Sequence, residues 1–341
     1  MKASAGRGWG PESERRSVQA LVLVGGKGTR LRPLTLETPK PVLTLVDRPF
    51  LRYMIEWLAG HGVDHIVLAC GFLPDQLRDV LGDGEPGGPR LTYVVEEEQL
   101  GTAGAIRFAL PHLEERFFAL NGDVLTDLDL TALWRSHEER GAKASLGLYP
   151  VEDPTGYGLV DLAADGQVLD FHEKPEPGHA GPGLINAGTY VLEREAIATV
   201  PEHREVSIER EFFPTIARGG LYGMRLDGYW MDIGTPDRYL EASWDIVEGR
   251  VRTEVEVHPD GILIDPDSRI DPAATIGPRA VVGPGCEVAA GARVAGSVLL
   301  AGATVGEGAT VEGSILAPGV RVAAGAAVGD AVLGKNEVVH A

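Results

Sequence analysis

Between residues 18 and 40 the chain places glycines and cations at the end of an apolar run. The run 20–24 stops at Gly25, Gly26, Lys27, Gly28, Thr29 and Arg30. Arg32 follows, and Lys40 stands between Pro39 and Pro41. Glycines let backbone N–H groups converge on an anion. Arg offers a planar fork of donors and Lys a movable point charge. Together they suit phosphate. A tight strand-to-helix turn with solvated charges uses the same residues, and Gly-x-Gly alone does not separate the two. The stretch is not a Walker A loop, which needs Gly-Lys-Ser/Thr. Nor is it the full dinucleotide fingerprint, because Leu31 stands where the third glycine belongs.

Five later stretches carry residues of the right kinds. Residues 96–104 read EEEQLGTAG, a polar turn into a helix N-terminus. Residues 120–123 are LNGD, 172–175 HEKP, 185–188 INAG and 230–234 WMDIG. Taken singly, each has a plain reading: Asp123 as a turn residue, Lys174 as a solvated charge, Asn186 to Gly188 as a hairpin or bulge, Asp232 as a cap.

The elements that must hold these residues alternate between strand and helix as far as residue 249. Leu51, Met54, Ile55 and Leu58 recur at helical spacing over 50–60, and Gly60 and Gly62 stop the helix. Strands at 65–69, 91–95 and 117–120 alternate with helices at 74–81 and from Thr102 to before Pro111. This order predicts a mostly parallel sheet, with ligands beyond the carboxyl ends of its strands. The glycine loop and the Asn121-Gly122-Asp123 turn both fall at that edge. Strands at 144–149, 158–161, 168–171, 185–192 and 221–226 suggest a second lobe over it. A helix at 207–218 is interrupted by Pro214. Thr235-Pro236 opens another helix, to about residue 248.

From Ile264 the texture changes. Ile270, Ile276, Val282, Val288 and Val294 follow at six-residue steps. The stride resumes through Val305, Val311, Leu316, Val322 and Val328, with five-residue steps at Val294 to Leu299 and Val311 to Leu316. Gly, Ala and Pro fill the gaps. Aliphatics in register at this period mark a parallel β-helix of hexapeptide repeats, whose stacked coils bury the aliphatic column. A flexible linker has no reason to keep such a register.

Composition narrows the function class. A net charge of −19 is wrong for a nucleic-acid or anionic-membrane binder, so the cations of the glycine loop stand out. Two distant cysteines, Cys70 and Cys286, argue against a disulfide framework and for a reducing cytoplasm. Residues 1–17 are polar and Gly-rich, and are expected to be a disordered leader. Arg15-Arg16 resembles a twin-arginine signal, but the apolar run behind it is too short. The expected divisions are 1–17, a catalytic domain over 18–249, a linker over 250–263 and a β-helix over 264–341.

In this order GGKGTRLRPLT, PKP, LGTAG, LNGD, EKP, NAG and WMDIG resemble the sugar-1-phosphate nucleotidyltransferases, the nucleoside-diphosphate-sugar pyrophosphorylases. SIEREFFP followed by GYWMDIG is most similar to the mannose-1-phosphate guanylyltransferase branch. The resemblance implies a Rossmann-like α/β domain with a mostly parallel mixed sheet, followed by a left-handed β-helix. It implies transfer of a nucleoside monophosphate from an NTP to a sugar 1-phosphate, with GTP and mannose 1-phosphate leading. Glucose 1-phosphate with dTTP, UTP or ATP, and heptose 1-phosphate, are the alternatives.

The same resemblance implies roles. Leu23, Gly25, Gly26, Gly28 and Thr29 hold the nucleotide, together with Gly101, Thr102 and Gly122. Arg30 takes the β- and γ-phosphates, and Lys40 the α-phosphate. Asp123 and Asp232 share Mg²⁺. Lys174 takes the sugar phosphate; Gly158, Glu173 and Asn186 surround the sugar. Two carboxylates about 5 Å apart repel by roughly 3 kcal/mol at an effective dielectric of ~20, and phosphates add to that, so a divalent cation is expected among them. A homo-oligomer is expected as well. Lys27, and His172 where an aromatic residue often stands, depart from the pattern. Two other functions compete. An acyltransferase would need a histidine within the coils, and only His258 and His340 flank them. A silent sensor would have lost some of Arg30, Lys40, Asp123, Lys174 or Asp232, and all are present.

Overall fold

The computed structural model describes residues 17–71, 73–172 and 181–341. The leader as far as Arg16, and Glu173, Lys174 and Pro175, lie outside the described residues, as does the side chain of His172. The chain forms two compact units: residues up to 26 with 54–230, and residues 27–53 with 231–341.

The first unit is built on a nine-stranded mixed sheet. Val18–Leu23 lies at its middle, parallel to Val63–Cys70 on one side and to Arg116–Asn121 on the other. Arg90–Val95 extends the parallel part. Strands covered on both faces need continuous apolar runs rather than alternation. Ala20, Leu21 and Val22, and Phe117 to Leu120, are accordingly buried. Leu23 registers with Ala69 and with Asn121, so three strands end at one edge.

Beyond Arg116–Asn121 the sheet continues antiparallel. The predicted second lobe is this continuation. Gly183–Glu193 is long enough to pair with Arg116–Asn121, Ala144–Val151 and Leu159–Leu162, and Leu221–Arg225 pairs with Ala144–Val151. The 207–218 helix is a wide π-type turn, Ile208–Phe212, followed by one short helix, Phe213–Ile216. Its first residues are capped by Ser207, and Pro214 falls in the short helix, where an N-terminal Pro costs no hydrogen bond. Helix Leu130–Arg140, capped by Asp129, has no counterpart among the sequence-based expectations.

In the second unit the tail forms three sheets of short parallel strands, stacked coil upon coil. This is the parallel β-helix that the hexapeptide period predicts, and it fits the left-handed form that the resemblance implies. Ile264 pairs with Val282, and Val282 with Leu299, so a coil of eighteen residues is followed by one of seventeen. The five-residue steps fall at one corner, near Gly296 and Gly313, and so the aliphatic column keeps its register.

His137, on the unpredicted helix, is fully buried. Its Nδ1 faces Ser145 Oγ at 2.9 Å and its Nε2 faces Glu193 Oε1 at 3.0 Å. Burial lowers its pKa; the hydrogen bond to Glu193 opposes this only in part. The folded protein therefore disfavours a proton that the unfolded chain binds near pH 6.5. This histidine costs no stability above that pH, and a growing amount as pH falls below it. Chemical denaturation at pH 8 and pH 5.5 is expected to show a loss at the lower pH. The loss should be smaller in His137→Gln, which keeps a donor and an acceptor but does not titrate. An equal loss in both proteins would assign the pH dependence elsewhere.

Candidate active site

The site residues named above divide between the two units. Leu23, Gly25, Gly26, Gly101, Thr102, Gly122, Asp123, Gly158 and Asn186 belong to the first. Gly28, Thr29, Arg30, Lys40 and Asp232 belong to the second.

In the first unit the sheet edge is stitched by backbone bonds. Val24 N–H donates to the Ala69 carbonyl at 2.9 Å, Gly122 N–H to Leu23 at 2.9 Å, and Glu96 N–H to Cys70 at 2.9 Å. Gly122 is a position of close approach: a Cβ there would stand 2.7 Å from both the Leu23 oxygen and Val24 Cγ1. The 96–104 turn closes when Leu100 N–H donates to Glu96 Oε2 at 3.2 Å. Burial raises the Glu96 pKa, and this hydrogen bond partly offsets the rise. Thr102 opens helix Gly101–Ala109, and its hydroxyl accepts from Ile208 N–H at 2.7 Å. That side chain therefore tethers the 206–208 segment.

Around Asn186 the structure gathers more than the motifs announce. Asn186 N–H donates to the Gly158 carbonyl at 2.9 Å, joining two residues assigned to the sugar. Trp230 Nε1 donates to the Ala187 carbonyl at 2.9 Å. The Tyr149 ring stacks on Trp230 at 5.7 Å, and the Tyr157 ring meets it edge-on at 5.4 Å. The Gly122-Asp123 turn leads to Thr126 and Asp127, whose side chains bind the backbone of Tyr229, at 2.9 Å to the oxygen and 2.7 Å to the N–H. Tyr190 and Glu209 hydrogen-bond the Asn186 amide as well, and neither they nor Tyr149, Tyr157 and Asp127 are among the residues expected from the sequence. Tyr157 directly precedes Gly158 and Glu209 lies in SIEREFFP, so those two had a signal. Tyr190 stands four residues beyond Asn186, whose Nδ2 donates to its hydroxyl, while Tyr149 and Asp127 are separated in sequence from Trp230 and Tyr229, which they touch.

In the second unit a short 3₁₀ turn, Thr29–Leu31, exposes Arg30 and buries Leu31. Gly28 precedes it at φ 58°, a left-handed turn that favours glycine, and its carbonyl accepts from the Thr35 hydroxyl at 2.7 Å. A second turn, Lys40–Val42, is preset by its flanking prolines and buries Lys40 to 8% exposure. The lysine stem borders a small gap of about 10 Å³ lined by Leu31, Leu43, Leu45, Phe50, Ile233 and Tyr239. This is how a long cationic side chain is buried: stem in apolar surroundings, charge at the end. Its Nζ lies 3.9 Å from Asp232 Oδ1, and Arg30 Nη2 lies 3.9 Å from Asp232 Oδ2. Two cations thus face one carboxylate, in a chain of net charge −19.

Among the described residues no group of three or more His, Cys, Asp or Glu side chains could by itself hold a metal ion. Asp232 offers hard oxygen donors at partial exposure, with both cations at the long end of ion-pair distance. Such a carboxylate fits Mg²⁺, which binds through one or two carboxylates and completes its shell with water and phosphate oxygens. Among the described residues no helix is long and apolar enough to cross a membrane.

Residues 19–249 match the nucleotidyl transferase family, and residues 259–341 match the GMPPB C-terminal domain. A mannose-1-phosphate guanylyltransferase of Mycobacterium tuberculosis is 41% identical over 236 residues, 68% of this chain and 65% of that protein. The match thus spans just under two thirds of that relative's length. The catalytic subunit beta of mannose-1-phosphate guanylyltransferase from Xenopus tropicalis is 36% identical over 269 residues, 74% of this chain and 73% of that protein. The crystal structure of HddC from Yersinia pseudotuberculosis complexed with GMP-PN superposes with a TM-score of 0.60. It is 31% identical and covers 67% of this chain and 99% of that one.

The close approach at Gly122 is open to a direct test. Gly122→Ala must push the Leu23 carbonyl and the Val24 side chain away from residue 122 at the end of the central strand. Such overpacking costs about 1–3 kcal/mol, a fall of a few degrees in Tm for a chain of this size. An unchanged Tm would show that the strand end yields freely.

Proposed function

The chain belongs to the nucleotidyl transferase family, and we propose that it transfers GMP from GTP to mannose 1-phosphate, giving GDP-mannose and pyrophosphate. The family and the names of the relatives support the reaction and the sugar. The guanine nucleotide held by the Yersinia structure supports the base. The observation that carries the reading is the Arg30, Lys40 and Asp232 cluster, two cations brought to one carboxylate in the segment that follows a glycine turn.

A phosphate oxygen of the sugar 1-phosphate attacks the α-phosphorus of the nucleotide. One O–P bond forms, the bond to the bridging β-phosphate oxygen breaks, and pyrophosphate leaves with the electron pair. Little covalent chemistry falls to the protein, so positioning and charge neutralisation carry the rate. Backbone groups of residues 25–29, with Leu23 and Gly122, hold the nucleotide, and Gly101 and Thr102 border the base. Arg30 takes the β- and γ-phosphates and the departing pyrophosphate. Lys40, held by its buried stem, offers one placed charge to the α-phosphate. Glu173, Lys174, Gly158 and Asn186 are assigned to the sugar phosphate. Asp123 and Asp232 are the carboxylates for Mg²⁺, which when bound neutralises phosphate charge.

The transferase domain is assigned to 18–249, a linker to 250–263 and the β-helix to 264–341. A homo-oligomer in the cytoplasm is the proposed setting. Cys70 and Cys286, free and buried, suit a reducing compartment. Burial pushes the Cys70 thiol up to about 12, which keeps it unreactive.

Purified protein with GTP, mannose 1-phosphate and Mg²⁺ is expected to release pyrophosphate only when both substrates are present. Arg30→Ala should lose about 2–4 kcal/mol of transition-state stabilisation, roughly 30- to 1,000-fold in kcat/KM. Asp123→Ala should retain its fold by circular dichroism and lose turnover. Full activity in either variant would contradict these roles, and no release by the wild type would contradict the reaction itself.

A further inference from the structure

The segment SIEREFFP at 207–214 has no part in the reaction as proposed, yet Glu209 within it is tied to the sugar side. Its Oε1 accepts from Tyr190 OH at 3.2 Å and from Asn186 Nδ2 at 3.4 Å, and its Oε2 accepts from Ser207 Oγ at 3.2 Å. Glu209 rides on the π-type turn, where Phe212 N–H reaches back to the Ser207 carbonyl at 3.2 Å. Such wide turns place one side chain where a regular helix would not.

The orientation of the Asn186 amide follows from its partners. Oδ1 accepts from Gly188 N–H at 3.0 Å, inside the irregularity of strand Gly183–Glu193 between Asn186 and Thr189. Nδ2 donates to the Tyr190 oxygen at 2.8 Å. Tyr190 is fully buried, and its single proton goes on to Glu209. The donors thus run one way, from Asn186 through Tyr190, and must end on a group that only accepts. A carboxylate is such a group. Burial, and then the Glu209 charge, hold the Tyr190 pKa well above its ordinary value, so the phenol keeps the proton it donates.

We propose that Glu209 is a positioning residue for the sugar 1-phosphate, fixing the Asn186 amide through Tyr190. The proposal rests on the assignment of Asn186 to the sugar. Without the carboxylate, the buried phenol can donate only to Asn186. The amide must then turn its oxygen to Tyr190 and its NH₂ to Gly188 N–H, which opens the bulge. The nucleotide side is held differently. The Val206 carbonyl accepts from Ala103 N–H at 2.9 Å and Ile208 N–H binds Thr102. These are main-chain groups of the 206–208 segment, which a change at the Glu209 side chain leaves in place.

The test combines kinetics with amide hydrogen exchange in the full chain. Glu209→Ala is expected to raise KM for mannose 1-phosphate about tenfold, the loss typical when the support of a ligand is removed. KM for GTP should stay within about twofold. Glu209→Gln should recover most of the loss, because its carbonyl still accepts from the phenol. Adding Glu209→Ala to Asn186→Ala should cost nothing further, because the two act through one contact. Exchange at Gly188 should quicken in Glu209→Ala, while helix Gly101–Ala109 stays protected. Equal rises in both KM values, additive effects in the double variant, or unchanged exchange at Gly188 would overturn the proposal. If Glu209→Ala does not fold, Tyr190→Phe interrupts the same relay and must raise KM for the sugar phosphate alone. A wild type without turnover would defeat the assigned reaction, and exchange at Gly188 would still decide whether Glu209 holds Asn186.

Discussion

The ion pair between Lys40 and Asp232 makes a lysine tolerable at 8% exposure. A buried ammonium without a counter-charge costs several kcal/mol, whereas opposite unit charges 4 Å apart recover on the order of 4 kcal/mol at an effective dielectric of 20. The second unit is arranged around meeting that condition. Leu31, Leu43, Leu45 and Phe50 surround the stem, and the Tyr239 hydroxyl binds the Thr44 carbonyl. Helix Pro236–Val247 starts four residues after Asp232, and Thr235 caps it by accepting from Arg238 N–H. The carboxylate is therefore held by a strand end and a helix start. Arg30, exposed on its turn, brings a second cation to the same carboxylate, and in the proposed reaction these are the charges that phosphate would meet.

A reaction that asks mainly for placed charges suits this construction. Lys40 cannot move far, because its stem is packed; Arg30 can, because 65% of its side chain is exposed. In the proposed reaction, a fixed charge near the reacting phosphorus and a mobile one for the leaving group would divide the work of phosphoryl transfer. Around Asn186 the first unit follows a different principle. There one carboxylate, Glu209, ends a chain of neutral donors, and orientation is set by directional hydrogen bonds and the rings of Tyr149, Tyr157 and Trp230.

How much of this was legible in the sequence depended on range. Features with local causes were plain: the apolar run ending in glycines, the helix at Phe50–Gly60, Thr235 before Pro236, and the six-residue stride of the tail. Even the five-residue steps were visible, though only the coil shows that they fall at one corner. Contacts between distant residues were not legible. The strands after residue 140 alternate less cleanly because both faces of Gly183–Glu193 are largely buried, and so a continuing sheet looked like a separate lobe. Lys40 between two prolines is plain in the sequence; its burial is not, because that follows from Ile233 and Tyr239, nearly two hundred residues away. Asn186 and Glu209 both lie in recognisable motifs, but neither motif shows that the two are joined to each other and to Tyr190 by hydrogen bonds.

In the proposed site the Asp232 carboxylate serves a metal, and Lys40 and Arg30 serve phosphate. GTP binding to the wild type and to Asp232→Asn, measured by calorimetry with Mg²⁺ and with EDTA, separates these roles. With EDTA the variant should bind GTP at least as tightly as the wild type, because a neutral side chain leaves both cations to the phosphates. With Mg²⁺ it should lose the metal-dependent gain in affinity that the wild type shows. Wild-type Mg²⁺ dependence in the variant, or weaker binding in EDTA, would contradict the account and reduce Asp232 to a structural partner of the two cations.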